Sequence, residues 1–419
     1  QSFWIELRSD KQYSINLPCH ECRLYVFLPV LDNDVHCPCD SLGVAHQPVY
    51  DNRIMYLFVR KVQFVAIGHE VFVSFRILHR EKLGWSDWIW PVYHFFAHQP
   101  NQVRRSRVVL LFQHPLSDGG TFTGVADIVS KYGLVPKEAM PETNSSDNTS
   151  RMANLVSLKL KEYGLQLRDL ASKGAKPAAL EKEKTTMLGT IYRMLVLNLG
   201  VPPTEFDYVR KDAKGNPAET EHHTPMSFLK KYGDENLLGN YVMVMNDPSR
   251  EYYKCYEIDY DRHRYDGKNW TYVNLPVEDI KEMAIASLKD STMMYFSCDV
   301  GKFLNSERGL LDVKNYDYES LMGTTFNMDK KQRIQTFSSG SSHAMTLMAV
   351  DLNKDGKPVK WMVENSWGPA SGYQGHLIMT DEWFDEYMFR LVLETKYVPA
   401  KVMDLFKQKP IRLLAWDPM

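Results

Sequence analysis

Gly340-Ser341-Ser342-His343-Ala344-Met345 and Val363-Glu364-Asn365-Ser366-Trp367-Gly368 are the two stretches on which the reading of this chain turns. Each joins a polar residue of catalytic type to an apolar run. Met345 to Val350 and Val359 to Val363 read as two strands, and Asp351 to Pro358 between them carries an Asp-Gly turn signal. Asn365 ends the second strand of this hairpin and His343 opens the first, so their side chains are expected to be near neighbours. A lone His beside an apolar strand is more often structural. A nearby Asn shifts that balance, because an imidazole used as a base needs one nitrogen fixed by an acceptor. Trp367 is placed to cover that bond and keep water from it.

Outward from the hairpin, further short elements are expected. Tyr241 to Met245, Trp270 to Asn274, Met293 to Ser297, His376 to Met379 and Leu391 to Glu394 read as strands of an antiparallel sheet, with a helix over Val277 to Leu288. Upstream, Val125 to Tyr132 reads as a helix stopped by Gly133, and Thr143 to Ser150 as a loop. Leu155 to Leu170 and Ala178 to Leu199 form a predicted helical hairpin ended by Gly200 and Pro202-Pro203.

Residues 1 to about 114 have a different texture, with eight of the thirteen His, four of the six Cys and four of the nine Trp. No clean period of strand or helix emerges there.

Composition sets outer limits. The 419 residues suffice for about two to three domains. At 44% hydrophobic, 24% charged and a net charge of -2, bulk charge points to neither nucleic acid nor an anionic membrane. No apolar run of about 18 residues appears, so no transmembrane helix is expected. The chain opens at Gln1 without a Met or a signal pattern, as a processed or partial chain would. Six cysteines are too few for a disulfide scaffold of this length, which favours a reducing, cytoplasmic setting.

Ser342-His343-Ala344-Met345 with Glu364-Asn365-Ser366-Trp367-Gly368 resembles the His and Asn motifs of papain-like cysteine peptidases, most closely the bleomycin hydrolase and aminopeptidase C branch. The resemblance extends through Asp118-Gly119-Gly120, Lys131-Tyr132-Gly133-Leu134-Val135-Pro136 and Met140-Pro141-Glu142-Thr143. It continues in Cys298-Asp299-Val300-Gly301-Lys302, Met379-Thr380-Asp381-Glu382-Trp383-Phe384 and Ala415-Trp416-Asp417-Pro418-Met419. It covers roughly residues 105 to 419, and the motifs taken jointly are highly specific.

The resemblance implies an α+β, papain-like fold of two lobes with a helical hairpin insertion. Residues 1–140 would form the lobe holding the nucleophile, 141–235 an insertion for assembly, and 236–419 a β-rich lobe with the catalytic His, Asn and a C-terminal arm. It implies a cysteine aminopeptidase: a thiolate paired with protonated His343 attacks the scissile carbonyl, and water resolves the thioester. Asn365 orients His343, and Trp367 supports the pair. Substrates are peptides with a free N-terminus, read by the carboxylate of the C-terminal arm. This chain stops at Met419, slightly short of the family's usual ending, so that specificity follows less directly than the peptidase chemistry. Self-assembly into a homohexamer is implied, with no cofactor and no membrane. Members line an internal cavity with basic residues, which leaves weak nucleic-acid affinity open.

The family's nucleophile is a Cys followed by Trp, six residues after a Gln. Its usual spacing from Asp118 places that Cys near 48–53, where the sequence is Pro48-Val49-Tyr50-Asp51-Asn52-Arg53. Gln47 stands six residues before Arg53 and could fill the oxyanion Gln's place, a match easily met by chance. Three readings of the missing thiol stay open. The N-terminal residues are misread, which is the reading favoured here; or the chain is a natural, catalytically inactive homologue serving as a scaffold or nucleic-acid-binding assembly; or Cys37 or Cys39 serves after local insertions.

Two other constellations weigh less. Cys19-x-x-Cys22 and Cys37-x-Cys39 are arranged somewhat like a zinc ribbon, but the second pair has one intervening residue instead of two and the flanking Gly turns are missing. Scattered thiols are the preferred reading, with no metal site. Asp351-Leu352-Asn353-Lys354-Asp355-Gly356 opens like a calcium loop, yet its twelfth position is Met362 where a Glu is needed, so a hairpin turn is expected. The lysines from Lys159 to Lys184 alternate with Glu162, Glu181 and Glu183 and read as a solvated helical face.

Overall fold

The computed structural model describes residues 23–25, 108–109, 111–116, 121–211, 215–259, 261–262, 267–415 and 417. Gln47, positions 48–53, all four N-terminal cysteines and Asp118-Gly119-Gly120 lie outside these residues.

The described strands, in chain order, are β1 (Arg23–Tyr25), β2 (Phe206–Lys211), β3 (Pro217–His223), β4 (Tyr241–Met245), β5 (Lys254–Ile258), β6 (Thr271–Asn274), β7 (Met294–Cys298), β8 (Leu304–Asn305), β9 (Leu310–Leu311), β10 (His343–Leu352), β11 (Pro358–Glu364), β12 (His376–Thr380), β13 (Met388–Glu394) and β14 (Ile411–Leu413). All but β2 and β3 join one sheet, in the order β14-β5-β6-β4-β13-β7-β10-β11-β12-β9-β8, with β1 beside β10.

The sheet is mixed, where an antiparallel one was expected. The β14–β5, β4–β6 and β12–β9 pairs run parallel. Parallel neighbours need a connection that crosses back, and no local sequence pattern announces one.

The apolar runs at the centre of the sheet have a physical cause. In β4, Val244 packs into one core while Met243 and Met245 pack into another. In β13, Leu391 and Leu393 take the first side and Phe389 and Val392 the second. Successive side chains point to opposite faces, so a strand covered on both sides is apolar at nearly every position.

One face is covered by the helix Val277–Lys289, through Ile280, Met283, Ala284 and Leu288. The helix Asp381–Tyr387 covers it too, through Trp383, Phe384 and Tyr387. Trp361 of β11 stacks on Phe384 at 4.6 Å and donates its Nε1–H to Asp381.

The β10–β11 turn is a hairpin connection. Asn353 accepts from Gly356 N through its carbonyl, and its Oδ1 takes the N–H groups of Asp355 and Lys357. Gly356 has φ +75°, which the turn requires. The side chain at the third position of the calcium pattern, Asn353, is thus spent on the turn.

Helices Ser150–Ser172 and Pro177–Leu199 form the expected hairpin, each a little longer than its apolar periodicity. Pro177 opens the second helix, where its missing N–H costs nothing. Met152, Val156, Ile191, Leu195 and Leu199 fill one interhelical core; Leu167, Leu180, Met187 and Leu188 fill another.

The lysine face is solvated at Lys159 and Lys173, paired with Glu162 and Asp169. Lys184 departs from that expectation. It sits among Leu180, Met187 and Leu188 at helical spacing, and is buried while its ammonium reaches Glu181.

Thr143–Ser150, expected as loop, contains a short helix, Asn144–Asp147. Thr143 and Ser146 cap it reciprocally, hydroxyl to backbone in both directions. The helix ending at Tyr132 is closed by Gly133 as expected, and begins at Phe122 under a Thr121 cap.

Candidate active site

His343 opens β10 and Asn365 directly follows β11. The β10–β11 ladder pairs Thr346 with Glu364 and Leu347 with Val363, which brings the two ends together. His343 Nε2 lies 2.8 Å from Asn365 Oδ1. Trp367 lies beside them, its ring centroid 5.1 Å from that of His343 and its plane 32° away. All three predicted residues therefore share one place, at the end of the central hairpin.

The bond has a definite direction. Asn365 Oδ1 also accepts the backbone N–H of Ser366, at 2.8 Å. The atom facing His343 must then be the amide oxygen, so Nε2 donates to it. The lone pair of the neutral ring is left on Nδ1, the nitrogen free to take a proton. Asn365 is itself anchored by its own N–H to the Gly375 carbonyl at 2.8 Å, and is buried.

Burial pulls the His343 pKa below its ordinary value, and the Asn365 bond opposes that by favouring the charged ring. The neutral ring dominates at neutral pH, while an acceptor is already in place for the imidazolium. That combination suits a group that takes up and returns a proton.

The comparisons with known proteins agree with this geometry. A family model described as the Peptidase C1-like family matches residues 91–419. The chain belongs to the Peptidase C1-like family.

Aminopeptidase C of Lactobacillus delbrueckii subsp. lactis is 38% identical over 318 residues, covering 75% of this chain and 70% of the relative. Bleomycin hydrolase of Mus musculus is 37% identical over 318 residues, covering 74% and 70%. The crystal structure of PepW from Lactobacillus rhamnosis HN001 superposes with a TM-score of 0.74 at 34% identity, covering 84% of this chain and 82% of that one. The fold is accordingly α+β and papain-like, and this C1-like chain is a cysteine-type hydrolase.

A C1-like peptidase needs a thiolate, and neither described cysteine suits that part. Cys298 pairs in register with His343, yet it is fully buried in the sheet core. Burial, with the Asp299 charge second, pushes its thiol pKa well up. Cys255 is pushed up to about 11, again mainly by burial. A nucleophilic Cys needs the opposite shift. The remaining cysteines, Cys19, Cys22, Cys37 and Cys39, fall outside the described residues, as does Gln47.

Among the described residues no cluster of His, Cys, Asp or Glu is arranged to hold a metal ion. No described helix is long and apolar enough to cross a membrane. Ser366 and Gly375, whose backbones orient Asn365, were not legible as site residues. They act through main-chain atoms, and only Gly375, at φ +87°, depends on its residue type.

Proposed function

We propose that this chain removes N-terminal residues from peptides by thioester chemistry, with His343 as the proton carrier and Asn365 as its orienting partner. The cysteine-type aminopeptidase reading rests on the family match and on relatives named aminopeptidase C and bleomycin hydrolase. The observation that carries the site assignment is the Nε2–H to Oδ1 bond, with the amide orientation set by Ser366.

In the proposed cycle Nδ1 of His343 takes the proton of a cysteine thiol. The thiolate attacks the scissile carbonyl carbon. Gln47 and a backbone N–H are assigned to the resulting oxyanion. The imidazolium protonates the leaving amine as the C–N bond breaks. Water, giving its proton back to His343, then hydrolyses the thioester and releases the thiol. Asn365 accepts from Nε2 throughout, and Trp367 screens the bond from solvent.

The thiol is assigned to the residues before position 108. An inactive scaffold gains no support from the family match or from the relatives' names.

The finer points follow the same reading. The C-terminal arm is assigned to recognition of the free amine, and the two hydrogen bonds that Arg250 Nη2 donates to the Asp417 carboxylate, at 2.7 and 2.6 Å, support a fixed course for that arm. The segments 1–140, 141–235 and 236–419 are assigned as nucleophile lobe, assembly insertion and β-rich lobe. Exposed Leu155, Leu158, Leu165 and Leu197 on the helical hairpin support its use in self-assembly, as a homohexamer. A cytoplasmic setting is supported by low cysteine content and by the unpaired state of Cys255 and Cys298. Nucleic acid is assigned only as a weak, secondary partner.

Purified full chain and its His343→Ala variant, assayed on an aminoacyl reporter, test the proposal. Loss of turnover by about 10²–10⁴-fold is expected for a proton-transfer group. Turnover surviving in the variant would overturn the site. Labelling with a thiol-reactive peptide warhead, followed by peptide mass spectrometry, identifies the nucleophile.

A further inference from the structure

The run Cys298-Asp299-Val300-Gly301-Lys302 has no part in the chemistry above, yet it lies directly against the segment that delivers His343. Asp299 is 7% exposed. Its Oδ2 accepts from Ser339 Oγ at 2.7 Å, and its Oδ1, at 3.3 Å, shares the Ser342 hydroxyl with the Cys298 carbonyl at 3.4 Å. The two hydroxyls lie on either side of Gly340 and Ser341, so one carboxylate ties down both ends of the turn leading into His343.

Other contacts close the same turn. Ser342 donates its N–H to the Cys298 carbonyl at 3.0 Å, and Ser341 and Ser297 bond hydroxyl to hydroxyl. His343 then enters the ladder opposite Cys298.

Asp299 is itself fixed from behind. Its N–H donates to the Tyr387 carbonyl at 3.0 Å, and Trp383 Nε1 donates to the Lys302 carbonyl at 2.7 Å. The only cation paired with its carboxylate among the described residues is Lys302, 4.0 Å away and substantially exposed. A buried carboxylate whose close partners are two hydroxyls is costly unless geometry is its purpose.

We infer that Asp299 is a positioning residue for His343, holding the Ser339–Ser342 turn so that the imidazole meets Asn365 and the thiol together. This inference rests on the proposed peptidase reading of His343. Asp299 does not touch the ring and is not among the causes of its pKa shift, so its action is geometric and not a charge effect on the imidazole.

The test compares wild type, Asp299→Ala, Asp299→Asn and the double variant Ser339→Ala, Ser342→Ala, all in the full chain. Displacement of a catalytic group by about 1 Å costs on the order of 10²-fold. Asp299→Ala is expected to lower kcat by about that factor with KM little changed, and Asp299→Asn, which keeps an acceptor oxygen, to restore part of it. The double serine variant should reproduce the Asp299→Ala loss, and combining all three changes should add nothing further. Independent, additive losses would overturn the inference.

A second readout does not depend on turnover. The Nε2–H proton of His343, protected by Asn365 and Trp367, should give a slowly exchanging NMR signal in wild type that is lost in folded Asp299→Ala. Retention of that signal in the folded variant overturns the positioning role even if activity falls. Should Asp299→Ala fail to fold, the double serine variant is read by the same signal. A wild type with no turnover would sink the proposed function, while the NMR comparison would still decide the role of Asp299.

Discussion

The indole of Trp367 packs against the imidazole of His343, 5.1 Å between ring centroids, while the residue stays 46% exposed to solvent. In the proposed site this contact gives Trp367 the task of screening the His343–Asn365 bond from water. A hydrogen bond to a group that becomes charged is worth more when water is excluded from it.

The Asn365 bond is the first quantity to measure. A hydrogen bond to a charged partner contributes about 1.5–3 kcal/mol. If the bond is realised fully only when His343 is protonated, Asn365→Ala should lower kcat by roughly 10- to 150-fold, at about 1.4 kcal/mol per decade. KM should change little. Asn365→Asp keeps an acceptor and should fall between wild type and Ala. Steady-state kinetics of the three proteins on one aminoacyl reporter decide the matter.

Two histidines should titrate on opposite sides of the ordinary value. His343 lies below 6.5, chiefly through burial. His222 lies above it, chiefly through its 2.8 Å bond to Asp207. The signs for stability differ accordingly. The His343 contribution is intact above the unfolded value and is lost as pH falls through the folded one. The His222 contribution is complete below the unfolded value and is lost as pH rises through its folded one. NMR titration of the ring signals should show His343 changing at the lower pH; the reverse order would remove the basis for both statements.

The site was legible in the sequence because its two parts sit on one hairpin. Two adjacent apolar runs and a turn signal bring His343 and Asn365 together without any knowledge of the rest of the sheet. Asp299 was not legible in that role, because its contact with Ser342 depends on β7 lying beside β10, a pairing across more than forty residues. The parallel pairs escaped for the same reason. The β2–β3 hairpin escaped for another. Its second strand, Pro217–His223, is exposed at four successive positions and carries no apolar alternation. Ion pairs and ring contacts hold it instead.

Glu221 is the centre of that polar hairpin. Its carboxylate receives Lys231 Nζ at 2.7 Å, His223 Nε2 at 2.8 Å and Tyr232 OH at 2.8 Å, joining β3 to the helix Pro225–Tyr232. The Lys231 bond first, then those of His223 and Tyr232, pull its pKa from 4.5 to about 2. Its contribution is present above the unfolded value and is lost as pH falls toward the folded one. Amide hydrogen exchange over residues 206–232 should accelerate in that acid window ahead of the main sheet. In Glu221→Gln the exchange should be faster at neutral pH and nearly flat through the same window. An unchanged pH profile in the variant would show that another group holds the hairpin.

Gly133 is expected to tolerate no side chain. It ends its helix at φ +81°, and a Cβ there would stand 2.2 Å from the Pro225 carbonyl oxygen, which already accepts the Leu134 N–H. Backbone, not a flexible side chain, is in the way, so relief requires moving the Leu134–Pro225 contact. Ala at a left-handed position destabilises by more than about 1 kcal/mol. Gly133→Ala should lower the denaturant midpoint, and Asn, which tolerates the left-handed helical well but not ψ −164°, should do no better than Ala.

Trp361 tests how firmly the hairpin is held from behind. The side chain is 1% exposed, stacks on Phe384 and donates to Asp381 at 2.9 Å. Removing such a ring costs about 3–5 kcal/mol from lost burial and the cavity left behind. Trp361→Phe keeps most of the stack and loses the Nε1–H bond to a carboxylate, worth about 1.5–3 kcal/mol, plus a smaller void. Urea unfolding should therefore rank wild type, Phe and Ala in that order, with Ala far the weakest. Because Trp361 and Asn365 share β11 and its end, Ala at 361 should also loosen the His343–Asn365 bond. The protected Nε2–H signal of His343 should weaken in Trp361→Ala under conditions where the protein remains folded, and persist in Trp361→Phe. A destabilised Ala variant with that signal intact would mean that β10 and the Ser339–Ser342 turn hold the site without help from the layer beneath β11.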